Sequence, residues 1–402
     1  MHGRGWWIWA ASGVLGIEPP MAKTLLQWIE LNRTSFHQNV RQFRQLIGPG
    51  RKLLAMVKAN GYGHGMKEIS GLALAAGADW LGVHSLEEGI VLQELGITAP
   101  VLISGYIAAS DLREAVDRDL RLTVYNPETV AHLAQICRRL GKKAYLHIKL
   151  ETGTHRQGLD PARLVEFCEQ LPGSGELVVE GISSHFADIE DTTDHSYAQR
   201  QIQIFNQALA RLNERHIQVP IRHMSCTAAG ILFPETHFDM LRVGIGLYGL
   251  WPSKETYVSC IQRKRDPLRL EPVLSWKARI AQLKRIGKGE FIGYGRTYRT
   301  TRPTCLAVIP IGYFDGYPRV LSNLSHVLVK GQRAPLRGRV AMNFITVDVT
   351  DIPDVGIEEE VILIGRVRDD EVSADMLAAW AGTINYEIVA RLHPAIPRIV
   401  SS

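Results

Sequence analysis

The sequence predicts an α/β protein: an N-terminal (β/α)8 TIM-type barrel followed by a mostly β C-terminal domain. Two observations carry this. Eight apolar runs of strand length, at 53–57, 80–83, 101–103, 122–124, 144–150, 178–182, 221–224 and 240–243, are separated mostly by helical patterns. After position 250 the pattern changes to β-type segments at 274–283, 304–310, 326–329, 340–349 and 361–364, with many Gly and Pro turns and one good helix at 373–381. An open doubly wound sheet would share the first pattern, but eight βα units packed into about 230 residues favour a closed barrel.

The elements follow in order. Residues 1–20 carry an apolar patch that faintly imitates a secretory signal, yet it is too short to span a bilayer and Pro19-Pro20 breaks it. They are expected to be an extension outside the fold. Residues 27–31 read as a short strand, which is free to join the β domain. Residues 21–263 are expected to form the barrel and 264–402 the β domain. Helices are predicted over 126–140, with Pro127 suited to the first turn, and over 197–215, where apolar positions recur at helical spacing. Residues 251–270 show no clear periodicity and read as a boundary region.

With 402 residues, 46% apolar and 22% charged, the chain is long enough for two domains and ordinary for a globular protein. The net charge of +5 is spread along the chain, and its densest basic run, Arg263-Lys264-Arg265, is too short for a nucleic-acid footprint. No nucleic-acid or membrane partner is expected. Five widely spaced cysteines without a C-x-x-C pair indicate neither a disulfide framework nor a zinc site, which fits a reducing cytoplasm. The fourteen histidines show no metal-ligand spacing, and no metal is expected.

The chemistry concentrates where barrel strands end. The run Leu53 to Val57 passes through Lys58 into the Gly-rich turn Gly61-Tyr62-Gly63-His64-Gly65. A lysine at a strand's C-terminal end faces the loops that carry barrel active sites, and partial burial there lowers its pKa and frees the amine for Schiff-base formation. A lysine snorkelling from a strand end is the ordinary alternative. Arg156, after the fifth strand, offers a planar fork for a carboxylate or phenolic oxygen. His185 stands at the sixth strand's end. Thr227 lies near a helix start, where backbone N–H groups favour phosphate. The glycines of Gly244-Ile245-Gly246-Leu247-Tyr248-Gly249 form a G-x-G-x-x-G string, but no βαβ unit follows, so they suit close backbone approach to a phosphate better than a dinucleotide.

The string Val57 to Gly65 resembles the V-K-A-N-x-Y-G-H-G motif of alanine racemases, and the resemblance extends from about Trp28 to Arg398. It implies pyridoxal phosphate (PLP) on Lys58, with Tyr62, His185, Thr227, Arg242, Gly244, Ile245 and Tyr386 as cofactor contacts. His185 would stack on the pyridine ring, and Arg242 would hydrogen-bond its nitrogen and keep it unprotonated. Thr383-Ile384-Asn385-Tyr386-Glu387 matches the segment whose tyrosine binds the phosphate. Lys149-Leu150-Glu151-Thr152-Gly153-Thr154-His155-Arg156 resembles K-x-D-T-G-x-x-R, implying that Arg156 orients substrate and that Lys149 matches a lysine often carbamylated in the family. Tyr294 matches the second catalytic base, working on the L-face opposite Lys58 on the D-face.

Tyr313 matches a gate at the substrate channel, and Met342 an amide that meets the substrate carboxylate. Three departures stand out: Cys226-Thr227 replaces Asn-Ser, Ala341 replaces cysteine, and Asn343 replaces an acid. The resemblance therefore implies an alanine racemase that supplies D-alanine for peptidoglycan, working as a homodimer whose β domains complete each other's barrels. A racemase of broader or different amino-acid specificity is the alternative, because Ala341 and Asn343 lie where the substrate side chain would sit. A PLP-storage barrel would lack the second domain, and a decarboxylase would show a tandem-glycine phosphate loop that is missing here.

Overall fold

The computed structural model describes residues 24–171 and 175–402; the expected extension at 1–20 lies outside the described residues. The first strand, β1 (Gln27–Asn32), precedes a barrel of eight parallel strands: β2 (Lys52–Met56), β3 (Trp80–Val83), β4 (Val101–Ile103), β5 (Arg121–Val124), β6 (Ala144–Lys149), β7 (Leu177–Ser183), β8 (Ile221–His223) and β9 (Met240–Val243). Neighbours pair in sequence from β2 to β8, and β9 returns to pair with β2. The ring is nearly closed. Its seam, between β8 and β9, is bridged by Asp239 N–H to Arg222 O at 3.0 Å, Arg242 N–H to Ser225 O at 3.3 Å, and the Arg222–Asp239 ion pair at 2.7 Å. Strands buried on both faces explain the nearly unbroken apolar runs.

Local signals place the helices. Pro127 opens the helix Pro127–Leu140, and Gly141 closes it in the left-handed region. Ser85 and Glu88 form a capping box at the start of Leu86–Glu94. The supposedly patternless 251–270 contains the helix Lys254–Gln262, capped by Ser253. Its polarity is inverted, with Thr256, Ser259 and Cys260 buried and Tyr257, Val258 and Ile261 exposed, so the usual periodicity is lost.

The β domain departs from its sequence reading in register. The run at 274–283 divides into β10 (Leu274–Arg279) and β11 (Gln282–Ile286), which belong to different sheets. Short strands β12 (Phe291–Ile292) and β13 (Tyr298–Arg299) flank the Tyr294 loop. They are followed by β14 (Thr304–Ile309), β15 (His326–Val329), β16 (Gln332–Pro335) and β17 (Ile345–Asp348). Of the expected run at 340–349 only β17 is strand; the preceding residues form a loop. Last come β18 (Glu360–Val367), β19 (Asp370–Val372), two helices, Ala374–Ala381 and Asn385–Ala390, where one was expected, and β20 (Arg398–Ser401). β1 lies between β10 and β20 in the large sheet.

The barrel and β domain share a core at His64, which is 1% exposed and lies 4.4 Å from the Tyr248 ring. Its Nδ1–H donates to Tyr62 O at 2.9 Å. Burial lowers its pKa from 6.5 to about 4, so the unfolded chain binds the proton more tightly than the folded one. The stabilisation from a neutral His64 is present above about pH 6.5 and is lost as pH falls toward 4, a difference of about 3 kcal/mol. Denaturant midpoints are expected to drop between pH 7 and pH 5, and His64→Phe to flatten that slope. An unchanged slope in the variant would assign acid sensitivity elsewhere.

Candidate active site

Lys58 follows β2 directly and begins a turn of unusual hand. Ala59, Asn60, Gly61 and Tyr62 have φ of 53°, 53°, 61° and 52°, four consecutive residues in the left-handed region. Each non-glycine residue there costs roughly 1–2 kcal/mol. Fixed partners offset this: Ala59 N–H donates to Glu88 Oε1 at 2.6 Å, Met66 N–H to Asn60 Oδ1 at 2.9 Å, and Gly63 N–H to Ala59 O at 3.0 Å. At Gly63 a Cβ would lie 1.8 Å from Val389 O, so only glycine lets the last helix pack against the turn. Arg398 Nη2 donates to Gly63 O at 2.9 Å. The β domain thus braces the loop that presents Lys58 and Tyr62.

Ten of the thirteen expected site residues line one cavity of about 690 Å³ at the C-terminal ends of the barrel strands: Lys58, Tyr62, Lys149, Arg156, His185, Thr227, Arg242, Gly244, Ile245 and Tyr386. Burial, then Arg156, lowers the pKa of Lys58, although Glu88 opposes the shift. Lys149 is pushed well below the usual lysine range by burial and by the Arg242 and Arg156 guanidiniums. His185 is held neutral by burial and the surrounding cations Lys149, Arg242, Arg156 and Lys58. Arg242 donates to His223 Nδ1 at 2.7 Å, Ser184 O at 2.8 Å, Met224 O at 3.0 Å and His185 Nδ1 at 3.4 Å, all neutral acceptors. Burial brings its pKa down to about 10.

Tyr62, Thr227 and Tyr386 line the same cavity together with Gly244 and Ile245. Thr227 Oγ1 accepts from Gly244 N–H at 3.1 Å. A Cβ on Gly244 would lie 2.4 Å from the Tyr62 hydroxyl, so glycine leaves the backbone open to close approach.

Tyr294, Tyr313 and Met342 do not line this cavity. They are 74%, 42% and 54% exposed on the β domain. Tyr313 N–H donates to Ala341 O at 3.1 Å and Phe314 N–H to Met342 O at 3.0 Å, which ties the Tyr313 and Met342 loops together. Asn323 joins the neighbouring loops through Thr297 Oγ1 at 3.2 Å and Gly338 N–H at 2.6 Å.

Sequence reading missed Glu190, which also lines the cavity. Its Oε2 accepts from the Tyr386 hydroxyl at 2.9 Å, its Oε1 lies 3.7 Å from Cys226 Sγ, and burial pushes its carboxyl up. No local signal marks it, since its partners come from positions 226 and 386. Glu88 was missed for the same reason, although its capping box with Ser85 is visible as S-x-x-E.

A family model for the alanine racemase N-terminal domain matches residues 31–252, and one for the C-terminal domain matches residues 273–400. The chain belongs to the alanine racemase family. An alanine racemase of Desulforamulus reducens is 40% identical over 374 residues, covering 92% of this chain and 98% of the relative. One from Halothermothrix orenii is 39% identical, covering 92% and 96%. Among solved structures, alanine racemase of Bacillus anthracis with bound L-Ala-P superposes with a TM-score of 0.87 at 34% identity, covering 95% and 96% of the two chains. A histidine racemase of Leuconostoc mesenteroides superposes with a TM-score of 0.85 at 28% identity, covering 95% and 99%. The racemase family's architecture therefore accounts for the barrel, the β domain and their order.

Proposed function

We propose that the chain interconverts L- and D-alanine with PLP held on Lys58. The observation that carries this is a single cavity lined by a lysine of lowered pKa, a guanidinium contacted only by neutral acceptors, and the hydroxyl residues Tyr62, Thr227 and Tyr386 beside the Gly244–Ile245 backbone. These residues fit the cofactor: Lys58 its aldehyde, Arg242 its ring nitrogen, and Tyr62, Thr227, Tyr386, Gly244 and Ile245 its phosphate. Bound there, PLP would supply an electron sink for the charge left at the substrate Cα when its proton departs.

Lys58 Nζ takes or returns that proton on one face. With PLP bound, Arg242 would offer the ring nitrogen a donor that does not surrender its proton, which would leave charge at Cα and favour reprotonation there over transamination. Arg156 offers its fork to the substrate carboxylate. Burial and the two guanidiniums favour the neutral amine of Lys149, which is the form that carbon dioxide carbamylates, and the resulting anion would pair with Arg156.

Tyr294 supplies the second base from a second copy of the chain, its hydroxyl meeting the opposite face of Cα. Two bases on opposite faces invert a stereocentre without releasing the substrate. The exposed Tyr294, Tyr313 and Met342 surface supports a homodimer in which the β domain of one copy covers the barrel mouth of the other. D-Alanine made this way would serve peptidoglycan. The cytoplasm is the fitting compartment for its five free thiols, and no helix among the described residues is long and apolar enough to cross a membrane.

A racemase for another amino acid is the second reading. It is favoured by the histidine racemase of the same architecture and by Asn343, exposed beside Met342. Purified protein incubated with single L-amino acids in deuterium oxide separates the two: alanine should gain α-deuterium with inversion faster than any other. Faster exchange on histidine or another amino acid would move the assignment, and keto acid or carbon dioxide as the main product would reject racemisation.

A further inference from the structure

Behind Arg242, a polar chain runs through the barrel interior beside the apolar layer of Leu54, Trp80, Leu102, Ile221 and Met240. Arg242 Nη1 lies 2.7 Å from His223 Nδ1, His223 Nε2 lies 2.8 Å from His147 Nδ1, and His147 Nε2 lies 3.2 Å from Glu180 Oε2. The two imidazoles are 1% and 0% exposed. Arg121 Nε stands 3.4 Å from the same Glu180 oxygen, with its guanidinium over the Tyr145 and Trp80 rings.

The direction of this chain is forced from both ends. A guanidinium only donates, so His223 Nδ1 must accept and its proton must sit on Nε2. That proton goes to His147 Nδ1, which leaves the His147 proton on Nε2. A carboxylate paired with a guanidinium only accepts, so Glu180 receives it. Burial is the largest cause that lowers both histidines from their ordinary pKa; the Glu180 carboxylate opposes the shift at His147, and the nearby guanidiniums add to it, so the neutral form is favoured in both rings.

The backbone is built for this contact. The β6–β7 register shifts between Leu146 and His147, whose partners are Val179 and Gly181, so Glu180 is the bulged residue opposite His147. A Cβ on Gly181 would lie 2.3 Å from His147 Nδ1, and glycine leaves the imidazole its space.

We propose that Glu180 and His147 are positioning residues for Arg242, fixing the tautomer of His223 so that the guanidinium always meets an acceptor. The proposal deepens the reading in which Arg242 faces the PLP ring nitrogen. Glu180 specifies the polarity because it cannot donate. A glutamine there can donate to His147 Nε2 as well as accept from it, so the polarity is held by the Arg242 end alone and the opposite tautomers, with His223 Nδ1–H set against the Arg242 donor, become accessible.

The test uses 15N-histidine-labelled holoenzyme, with His147→Gln and His223→Gln assigning the signals. Wild type should show both residues as neutral Nε2–H tautomers from pH 7 to pH 9. In Glu180→Gln, His223 should shift toward Nδ1–H, kcat on alanine should fall about tenfold with KM little changed, and keto-acid formation per turnover should rise. Glu180→Asp keeps an acceptor-only group and should restore the tautomer and most of kcat. An Nδ1–H tautomer of His223 in wild type would overturn the proposal whatever the variants do. So would a folded Glu180→Gln with unchanged tautomers, or reversed tautomers with unchanged kcat and product ratio. Tautomers as stated in a wild type that does not racemise would sustain the relay and reject the racemase reading instead.

Discussion

Lys58→Ala is expected to abolish covalent attachment of PLP and to lower racemisation by at least the roughly two to four orders of magnitude that loss of a general base costs. Both effects come from one amine. Its lowered pKa, caused first by burial and next by Arg156, keeps more of it unprotonated at neutral pH than an exposed lysine would be. Borohydride reduction followed by removal of free cofactor should leave wild type labelled on the peptide containing Lys58 and the variant unlabelled. A variant that retains borohydride-fixed cofactor would sink the assignment of Lys58. Thermal unfolding of the variant separates this from a folding defect, because truncation of a lysine lining the cavity removes little packed surface.

Tyr294→Ala should slow α-proton removal from L-alanine about a hundredfold or more while sparing D-alanine, since Lys58 still reaches its own face. The side chain is 74% exposed and does not line the cavity of its own chain, so this loss should be repaired by another copy. Mixing inactive Lys58→Ala with inactive Tyr294→Ala gives, after random exchange, about half mixed dimers, each with one intact site. About a quarter of wild-type activity should therefore return. Equal losses on both enantiomers would reject the two-face assignment. Demonstrated subunit exchange without recovery would reject the shared site.

The barrel was legible because its strands are buried on both faces and so read as short unbroken apolar runs, whereas the β domain's strands are governed by turns. One residue pair, Ile280 and Ala281, sends β10 and β11 into different sheets, and no alternation in 274–283 announces it. The cavity residues were found where chemistry and chain neighbours coincide, as at Lys58, Arg156 and Gly244. Glu190, Glu88 and Glu180 were not, because each acquires its meaning from a partner far along the chain: Tyr386, Ala59 and His147 respectively. The left-handed turn from Ala59 to Tyr62 was equally hidden, since three of its four residues carry a Cβ and local propensity argues against it.

The place of β1 has a consequence for synthesis on the ribosome. Its apolar residues Trp28, Ile29 and Leu31 emerge among the first of the described chain, yet both strands that cover its edges, β10 and β20, are made after the whole barrel. At about 5–20 residues per second, the roughly 250 residues that separate Gln27 from its partner Ala278 take about 12–50 s to polymerise. Within the barrel, consecutive strands from β2 to β8 meet far sooner, and only the closing pair of β2 with β9 waits for the barrel's last strand. For that interval the nascent chain carries a growing barrel tethered to an apolar strand without its partners, and the large sheet of the second domain is complete only once β1, β10 and β20 have all been made.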